Sequence, residues 1–167
     1  MPKNWSEEIL DNLRQMSDKK PMRIMGLDIG SRTIGVAISD ELGMTAQGLK
    51  TIKRRSMEED LKEISLIIAQ FKIEKIVVGL PINMDGTIGK QAEVVFQWIK
   101  KVKEKISLPV ETQDERFSTV EASKVLLEAD LSRKKRKGVI DKLAAVLILQ
   151  GYLHQSRKQN DESSLST

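Results

Sequence analysis

The chain contains no cysteine and a single histidine, His154, among its 167 residues. The absence of cysteine excludes disulfide bonds, cysteine nucleophiles and thiolate metal sites. With one histidine, neither a Ser-His-Asp triad nor a histidine-rich metal site is expected. Any chemistry must therefore depend on carboxylates, on lysine and arginine, on hydroxyl groups or on the backbone.

Aromatic residues and long apolar runs are also scarce. Aromatic side chains make up 4% of the chain, so a stacking platform for single-stranded nucleic acid is poorly supported. No run approaches the roughly 18 apolar residues of a membrane span, and the N-terminus has no apolar signal core. The net charge of +4 favours polyanionic partners. These features predict a soluble cytoplasmic protein with no membrane partner.

The length fits one domain flanked by two polar segments. A chain of this size buries a core without a disulfide or a structural metal. Residues 1–21 form an N-terminal extension, for which a mobile or loosely docked segment is preferred over a short helix. Residues 156–167 are polar and serine-rich and are expected to form a disordered C-terminal tail. The domain itself is expected to span residues 22–155.

Short apolar runs predict five strands. Three early runs with tight connections indicate an antiparallel meander. Two later runs alternate with helices, and such crossovers make their strands parallel to the first. The predicted fold class is therefore α/β, a mixed five-stranded sheet with helices on both faces. The strands are expected near residues 22–29, 34–38, 47–53, 75–79 and 109–113.

Apolar stripes at helical spacing predict the helices. Ser56 and Glu59 form a capping-box pattern at the start of one stripe. A basic loop is expected over residues 131–138. The last helix, expected from Val139 to about His154, is apolar nearly all round in its middle, so it should be largely buried.

One carboxylate, Asp28, lies at the end of the otherwise apolar first strand. Ionised carboxylates are rarely buried unless they are paired or bind a metal. Asp28 could cap the following turn, but Gly30 and Gly35 already supply the turn chemistry. A functional role for Asp28 is therefore favoured, because sites in such sheets form outside the carboxyl ends of the parallel strands.

Two further positions could bring carboxylates to the same edge. Asp114 and Glu115 follow the last strand, and alternation along that strand does not decide between them. Either acid, like Asp141, could instead be an ordinary partner of a helix dipole. Asp141 nevertheless begins a helical line that should face the sheet, formed by residues 141, 145, 148 and 152.

Three gathered carboxylates would repel one another and raise one another's pKa. A divalent cation removes that conflict, and Mg²⁺ prefers a few carboxylates completed by water and phosphate oxygens. One or two such ions, about 3.5–4 Å apart if there are two, would activate water and stabilise the leaving oxygen of a phosphodiester. Mg²⁺ or Mn²⁺ is therefore the expected cofactor.

The body of the chain carries four recognisable motifs. They are GLDIGSRTIGVA (26–37), VVGLPINMDGTIG (77–89), DERFSTVEA (114–122) and KGVIDKLAA (137–145). In this order and spacing they resemble the YqgF family, also called RuvX or Holliday-junction-resolvase-like proteins. The resemblance covers about residues 22–155 and leaves the N-terminal extension outside.

The resemblance implies an RNase H-like fold, with Asp28, Glu115 and Asp141 as the catalytic and metal-binding acids. It thereby selects Glu115 over Asp114. For function, it implies a nuclease that hydrolyses RNA in 5′-end maturation of pre-16S rRNA, acting on the precursor or on the pre-ribosome. A resolvase of branched DNA and a non-catalytic nucleic-acid-binding protein are the alternatives. The oligomeric state is expected to be a monomer or a weak homodimer.

Basic and amide side chains near the acids are candidate contacts with nucleic acid. The loop that holds Asn83 is built of ordinary loop formers, so a purely structural role for Asn83 is equally supported. A basic run is usually a solvated face, but one just before Asp141 favours salt-sensitive phosphate binding. Arg116 could instead simply pair with a carboxylate. The candidates are Arg32, Asn83, Arg116, Arg133, Lys134, Lys135, Arg136 and Lys137.

Overall fold

The computed structural model describes residues 5–18, 22–114 and 133–166. From residue 22 onwards, three consecutive strands are followed by helices that alternate with strands, as the apolar patterns predict. The elements are α1 (Trp5–Asp18), β1 (Arg23–Ile29), β2 (Thr33–Ser39), β3 (Ala46–Lys53), α2 (Met57–Phe71), β4 (Ile73–Leu80), α3 (Lys90–Lys105), β5 (Val110–Asp114) and α4 (Arg133–Leu165).

The five strands form one mixed sheet in the order β3-β2-β1-β4-β5. β1, β2 and β3 make an antiparallel meander. β4 pairs in parallel with β1, and β5 pairs in parallel with β4. The predicted α/β class and mixed five-stranded sheet are therefore confirmed. Since β1, β4 and β5 run in parallel, their carboxyl ends meet at one edge of the sheet, where a site is expected.

One face of the sheet packs against α2 and α3. α2 begins where predicted, because the Ser56 side chain accepts a hydrogen bond from the Glu59 backbone N–H. Trp98 of α3 is 1% exposed at the centre of this core, and burial of each large apolar side chain contributes about 1.5–3 kcal/mol. Strand residues of this core alternate along β1 and β4, as Met25, Leu27, Ile29, Ile76 and Val78.

The opposite face of the sheet is covered by α4. Its buried residues Ala145, Ile148 and Leu149 pack on Ile24, Ala37 and Val77 of the strands. The helix sits close to β1, since a Cβ atom at Gly26 would lie 2.7 Å from the Cβ of Leu149. The line of residues 141, 145, 148 and 152 therefore faces the sheet, as its spacing predicts.

α4 is longer at both ends than the sequence suggests. The prediction of a loop over residues 133–138 is wrong, because α4 begins at Arg133. At the other end, the tail expected to be disordered from residue 156 is helical through Leu165. Lysine, arginine, glutamine and glutamate are good helix formers. Extending an existing helix also avoids the cost of nucleation, so this polar sequence continues α4.

The N-terminal extension contains the helix α1, the less favoured of the two interpretations that its sequence offers. Three of its apolar side chains, Ile9, Leu10 and Leu13, are more than half exposed. The domain boundaries at residues 22 and 155 stay a prediction. Within the described ranges, no helix has an apolar stretch long enough to cross a bilayer.

Candidate active site

Asp28 is the next-to-last residue of β1, and its side chain lies on the α4 face. Ile24 and Gly26 contact α4, whereas Met25 and Leu27 belong to the opposite core, and side chains alternate along a strand. Asp28 is half-buried. Directly opposite it on β2 is Gly35. Such antiparallel partners have Cα atoms about 4.5–5.5 Å apart and project to the same face.

At Gly35, α4 passes very close to β2. A Cβ atom at this position would lie 2.0 Å from the carbonyl oxygen of Asp141 and 2.6 Å from its carbonyl carbon, so no side chain fits. Because Gly35 is paired with Asp28, this contact brings Asp141 beside Asp28. Two acidic residues that are far apart in sequence are thus neighbours at the carboxyl edge of the sheet.

Thr33, the first residue of β2, contacts the second of these acids. Its Oγ1 donates a hydrogen bond of 2.5 Å to Oδ2 of Asp141. This bond fixes the orientation of the carboxylate towards the turn that follows Asp28. Sequence reasoning missed Thr33, because a threonine beside a glycine turn is not distinctive by itself. Its place inside the motif 26–37 is the signal that could have identified it.

Two further side chains hold the turn after Asp28 from the side of α2 and α3. Arg54 Nη1 donates a 2.9 Å hydrogen bond to the carbonyl oxygen of Gly30. Gln91 Nε2 donates a 3.1 Å hydrogen bond to the carbonyl oxygen of Ile29. Inside the turn, the Gly30 N–H donates to the carbonyl oxygen of Thr33 at 2.9 Å. Arg54 and Gln91 were also missed, since neither lies near the acids in sequence.

The alternation of β5 separates Asp114 from the Asp28 face. Glu111 Oε1 is 3.4 Å from Lys75 Nζ, and Gln113 Nε2 lies 3.4 Å from the Cβ position of Gly151 in α4. Val110 packs on the side of the sheet that α2 and α3 cover. Because side chains alternate along a strand, Asp114, four residues later, lies on that side too. The predicted site residues Glu115 and Arg116 lie outside the described residues.

The loop after β4 is held together by its own side chains. Asn83 Nδ2 donates to Thr87 Oγ1 at 3.0 Å. Thr87 in turn donates to Oδ1 of Asp85 from its hydroxyl at 2.6 Å and from its backbone N–H at 2.9 Å. The Thr87 hydroxyl, followed by the Thr87 N–H, holds the pKa of Asp85 below its ordinary value. Asn83 has a structural role here, and its contact with nucleic acid stays a prediction.

The remaining basic candidates lie in the turn and on α4. Arg32 is exposed within the turn that follows Asp28. Residues 133–137 form the first turns of α4, and only their backbone is described. At about 1.5 Å per residue, the start of α4 lies about 12 Å along the helix from Asp141. The basic segment therefore belongs to the element that carries one of the acids.

The donor chemistry of the pair fits a hard divalent cation, for which carboxylate oxygens are the preferred ligands. The ligand set is incomplete in the part of the chain that the structure describes. There, no group of three or more histidine, cysteine, aspartate or glutamate side chains could hold a metal ion. The structure places Asp28 and Asp141 near each other. The third predicted acid, Glu115, lies outside the described residues.

Known proteins are similar to this chain over most of its length. The family model RuvX, described as Holliday junction resolvase, matches residues 22–155. A protein of Desulforamulus reducens is 58% identical over 137 residues, which is 82% of this chain and 100% of that protein. A protein of Halothermothrix orenii is also 58% identical over 137 residues, with 82% and 98% covered. Both are named provisionally as pre-16S rRNA nucleases.

Among solved structures, RuvC of Thermus thermophilus in complex with a Holliday junction substrate is similar in fold. It matches with a TM-score of 0.52 and 13% identity over 82% of this chain and 96% of that chain. This likeness confirms the predicted RNase H-like fold. The motifs, the fold and the match to most of the chain agree, and the chain belongs to the RuvX family.

Proposed function

We propose that the protein is a metal-dependent nuclease that hydrolyses RNA phosphodiester bonds in the cytoplasm, in 5′-end maturation of pre-16S rRNA. The observation that carries the proposal is that the backbone of Asp141 lies against Gly35, the strand partner of Asp28. Membership of the RuvX family supports a nuclease. The provisional names of relatives at 58% identity support RNA as the substrate.

Asp28, Glu115 and Asp141 would together hold Mg²⁺ or Mn²⁺. When bound, such an ion supplies a Lewis acid and an activated water. Glu115 is included because it matches the family motif.

The other residues would position the carboxylates and the RNA. The Thr33 hydroxyl holds one oxygen of Asp141, so this carboxylate keeps its orientation before the substrate arrives. Arg32, exposed beside Asp28, is suited to a backbone phosphate near the acids. Arg116 and the basic segment 133–137 would bind phosphates farther along the strand, which makes RNA affinity fall as salt rises.

Cleavage of a 5′-extended 16S rRNA precursor by the purified full-length chain tests the proposal. We expect cleavage with Mg²⁺ or Mn²⁺ and none with EDTA. Asp28→Asn, Glu115→Gln and Asp141→Asn should each lower the rate by at least about 100-fold, as loss of a metal ligand does. Asp114→Asn is the matched control and should keep most activity. Wild-type rates in Asp28→Asn and Asp141→Asn would show that the proposal is wrong.

Branched DNA is the second candidate substrate, because the family model is described as a Holliday junction resolvase. A synthetic four-way junction run beside the precursor RNA separates the two. Faster cleavage of the junction would replace the RNA assignment and leave the nuclease assignment intact. A resolvase would also need two sites, so a stable dimer in sedimentation would favour it over the monomer or weak homodimer that we expect.

A further inference from the structure

A second buried carboxylate, Asp60, lies behind the turn that follows Asp28. It is in the first turn of α2 and is 2% exposed. Its Oδ2 accepts a hydrogen bond from Arg54 Nε at 3.3 Å, and its Oδ1 accepts one from the Arg55 backbone N–H at 3.2 Å. A carboxylate buried to this extent must be paired. Asp60 thereby holds the Arg54 side chain in place on the side of the sheet that α2 covers.

Arg54 divides its donors between this acid and the turn. While Nε contacts Asp60, Nη1 donates a 2.9 Å hydrogen bond to the carbonyl oxygen of Gly30. Its backbone N–H donates to the carbonyl oxygen of Arg32, also at 2.9 Å. The planar guanidinium presents its donors at fixed angles. The position of the turn is therefore tied to the position of α2.

The hydrogen bonds continue from the turn to the other face of the sheet. The Gly30 N–H donates to the carbonyl oxygen of Thr33, and Thr33 Oγ1 donates to Asp141. An unbroken series of contacts thus runs from Asp60 on α2, through Arg54 and the turn, to Asp141 on α4. Asp28 is attached to the same turn by the two residues that follow it.

A purely local explanation covers only part of this arrangement. An acid in the first turn of a helix is favoured by the helix dipole, which accounts for Asp60. It does not account for the bond from Arg54 to Gly30. The ion pair between Arg23, at the opposite end of β1, and Glu41, in the loop after β2, offers a comparison at 3.2 Å. It also joins an arginine to an acid, but it lies away from the site.

We propose that Arg54, held by Asp60, is a positioning residue that sets the separation of Asp28 and Asp141 and so their affinity for a divalent cation. The inference rests on the proposed function and deepens it. Residues that orient metal ligands typically change metal affinity or activity by 10–100-fold when replaced. Arg54 acts through the turn and touches neither the ion nor the RNA.

Binding of Mn²⁺ to the full-length chain without RNA, followed by electron paramagnetic resonance, measures this directly. We expect Arg54→Gln to weaken Mn²⁺ binding by about 10-fold and to speed amide exchange of Gly30. The Mn²⁺ affinity of Arg54→Lys should lie between those of Arg54→Gln and the wild type. Lysine keeps the positive charge beside Asp60 but lacks the several fixed donors of the guanidinium group. The control Arg23→Gln removes an equal charge and should bind Mn²⁺ as the wild type does.

A second variant covers the risk that Arg54→Gln fails to fold, since it leaves Asp60 buried without its partner. The double variant Arg54→Gln/Asp60→Asn removes both charges and should fold while still binding Mn²⁺ weakly. Cleavage kinetics add a further readout: the Arg54 variants should need more Mg²⁺ but show an unchanged KM for RNA at saturating Mg²⁺.

Each opposite outcome is decisive. Wild-type Mn²⁺ affinity in both Arg54 variants would overturn the positioning role and leave the proposed function standing. A raised KM for RNA with unchanged Mn²⁺ affinity would make Arg54 an RNA contact, which also overturns it. A wild-type chain that binds no Mn²⁺ and cleaves no RNA would overturn both proposals together.

Discussion

At the scale of single residues, one hydroxyl orients the carboxylate that α4 contributes to the site. Thr33 stands at the start of β2 and donates to Asp141 across a large sequence separation. Hydrogen bonds to a charged acceptor are stronger than neutral ones, about 1.5–3 kcal/mol. Because the Thr33 hydroxyl holds one oxygen of Asp141, the carboxylate loses little further freedom when a cation binds.

Replacement of this hydroxyl tests its contribution. Thr33→Val keeps the branched shape and removes the donor, so we expect Mn²⁺ affinity to fall about tenfold. Thr33→Ser keeps the donor and should bind Mn²⁺ nearly as the wild type does. Isothermal titration of both variants gives the comparison. Equal affinity of the valine variant and the wild type would contradict an orienting role for the hydroxyl.

At the scale of elements, the close contact between β2 and α4 depends on Gly35. Gly35→Ala would place a Cβ atom 2.0 Å from the Asp141 carbonyl oxygen, so α4 must move. We expect a loss of about 1–3 kcal/mol in the free energy of unfolding, measured with urea, as for other overpacked contacts. Weaker Mn²⁺ binding should accompany it.

Gly138 provides the control, since it lies on α4, the helix that Gly35 of β2 contacts. A Cβ atom there would meet nothing within 4 Å. Gly138→Ala should therefore stabilise the protein by about 0.5–1 kcal/mol, because alanine is the better helix former. If both alanine variants changed stability in the same direction, close packing at Gly35 would not be the cause.

A polar group of side chains joins α4 to β4 and β5 near the middle of the helix. Lys75 Nζ donates to the Tyr152 hydroxyl at 3.0 Å and lies 3.4 Å from Glu111. A hydrogen bond with Tyr152, followed by the charge of Lys75, holds the pKa of Glu111 below its ordinary value. The hydrogen bond with Tyr152 raises the pKa of Lys75.

The lowered pKa of Glu111 predicts a pH dependence of stability. A carboxylate with a lowered folded-state pKa stabilises the fold above its unfolded-state pKa, near 4.3, and this contribution is lost as pH falls through the folded-state value. Glu111→Gln should therefore destabilise the protein slightly at neutral pH, by less than about 1 kcal/mol for so exposed a pair.

Urea unfolding at neutral and acidic pH measures this difference. The gap between wild type and Glu111→Gln should close as the pH falls below the Glu111 pKa. Glu104→Gln, which removes an exposed ion pair with Lys101 on α3, is the control. A gap that stays constant with pH would show that the charge of Glu111 does not contribute.

Local patterns predict much of the fold and only part of the site. The meander, the parallel strands and the Ser56 cap follow from apolar periodicity and capping chemistry, and all are confirmed. The ends of α4 do not follow, because apolar periodicity carries no signal in a charged helix. Arg54 and Thr33 act through contacts between distant segments, which no local pattern reports.

At the scale of the whole molecule, the excess of basic residues should act through the segment 133–137. Lys134→Gln with Lys135→Gln should weaken RNA binding and lower the slope of log Kd against log salt by about 1–2, since each phosphate contact contributes about 0.7–0.9. Filter binding over a range of salt concentrations measures the slope.

Two lysines at the far end of α3 provide a control of equal charge. Lys103 and Lys105 are exposed in its last turn, and Lys103→Gln with Lys105→Gln should leave the salt slope near the wild-type value. An equal reduction in both double variants would mean that RNA responds to net charge, and that the start of α4 has no special role.

The contact of Gly35 with Asp141 also has a consequence for protein synthesis. Contacts between distant parts of a chain form late in folding, and a chain emerges from the ribosome N-terminus first. Asp28 and its turn are made early, while Asp141 arrives with the last helix. A partly synthesised chain that stops before α4 therefore carries half of the carboxylate pair, and the proposed nuclease gains activity only after α4 has been made.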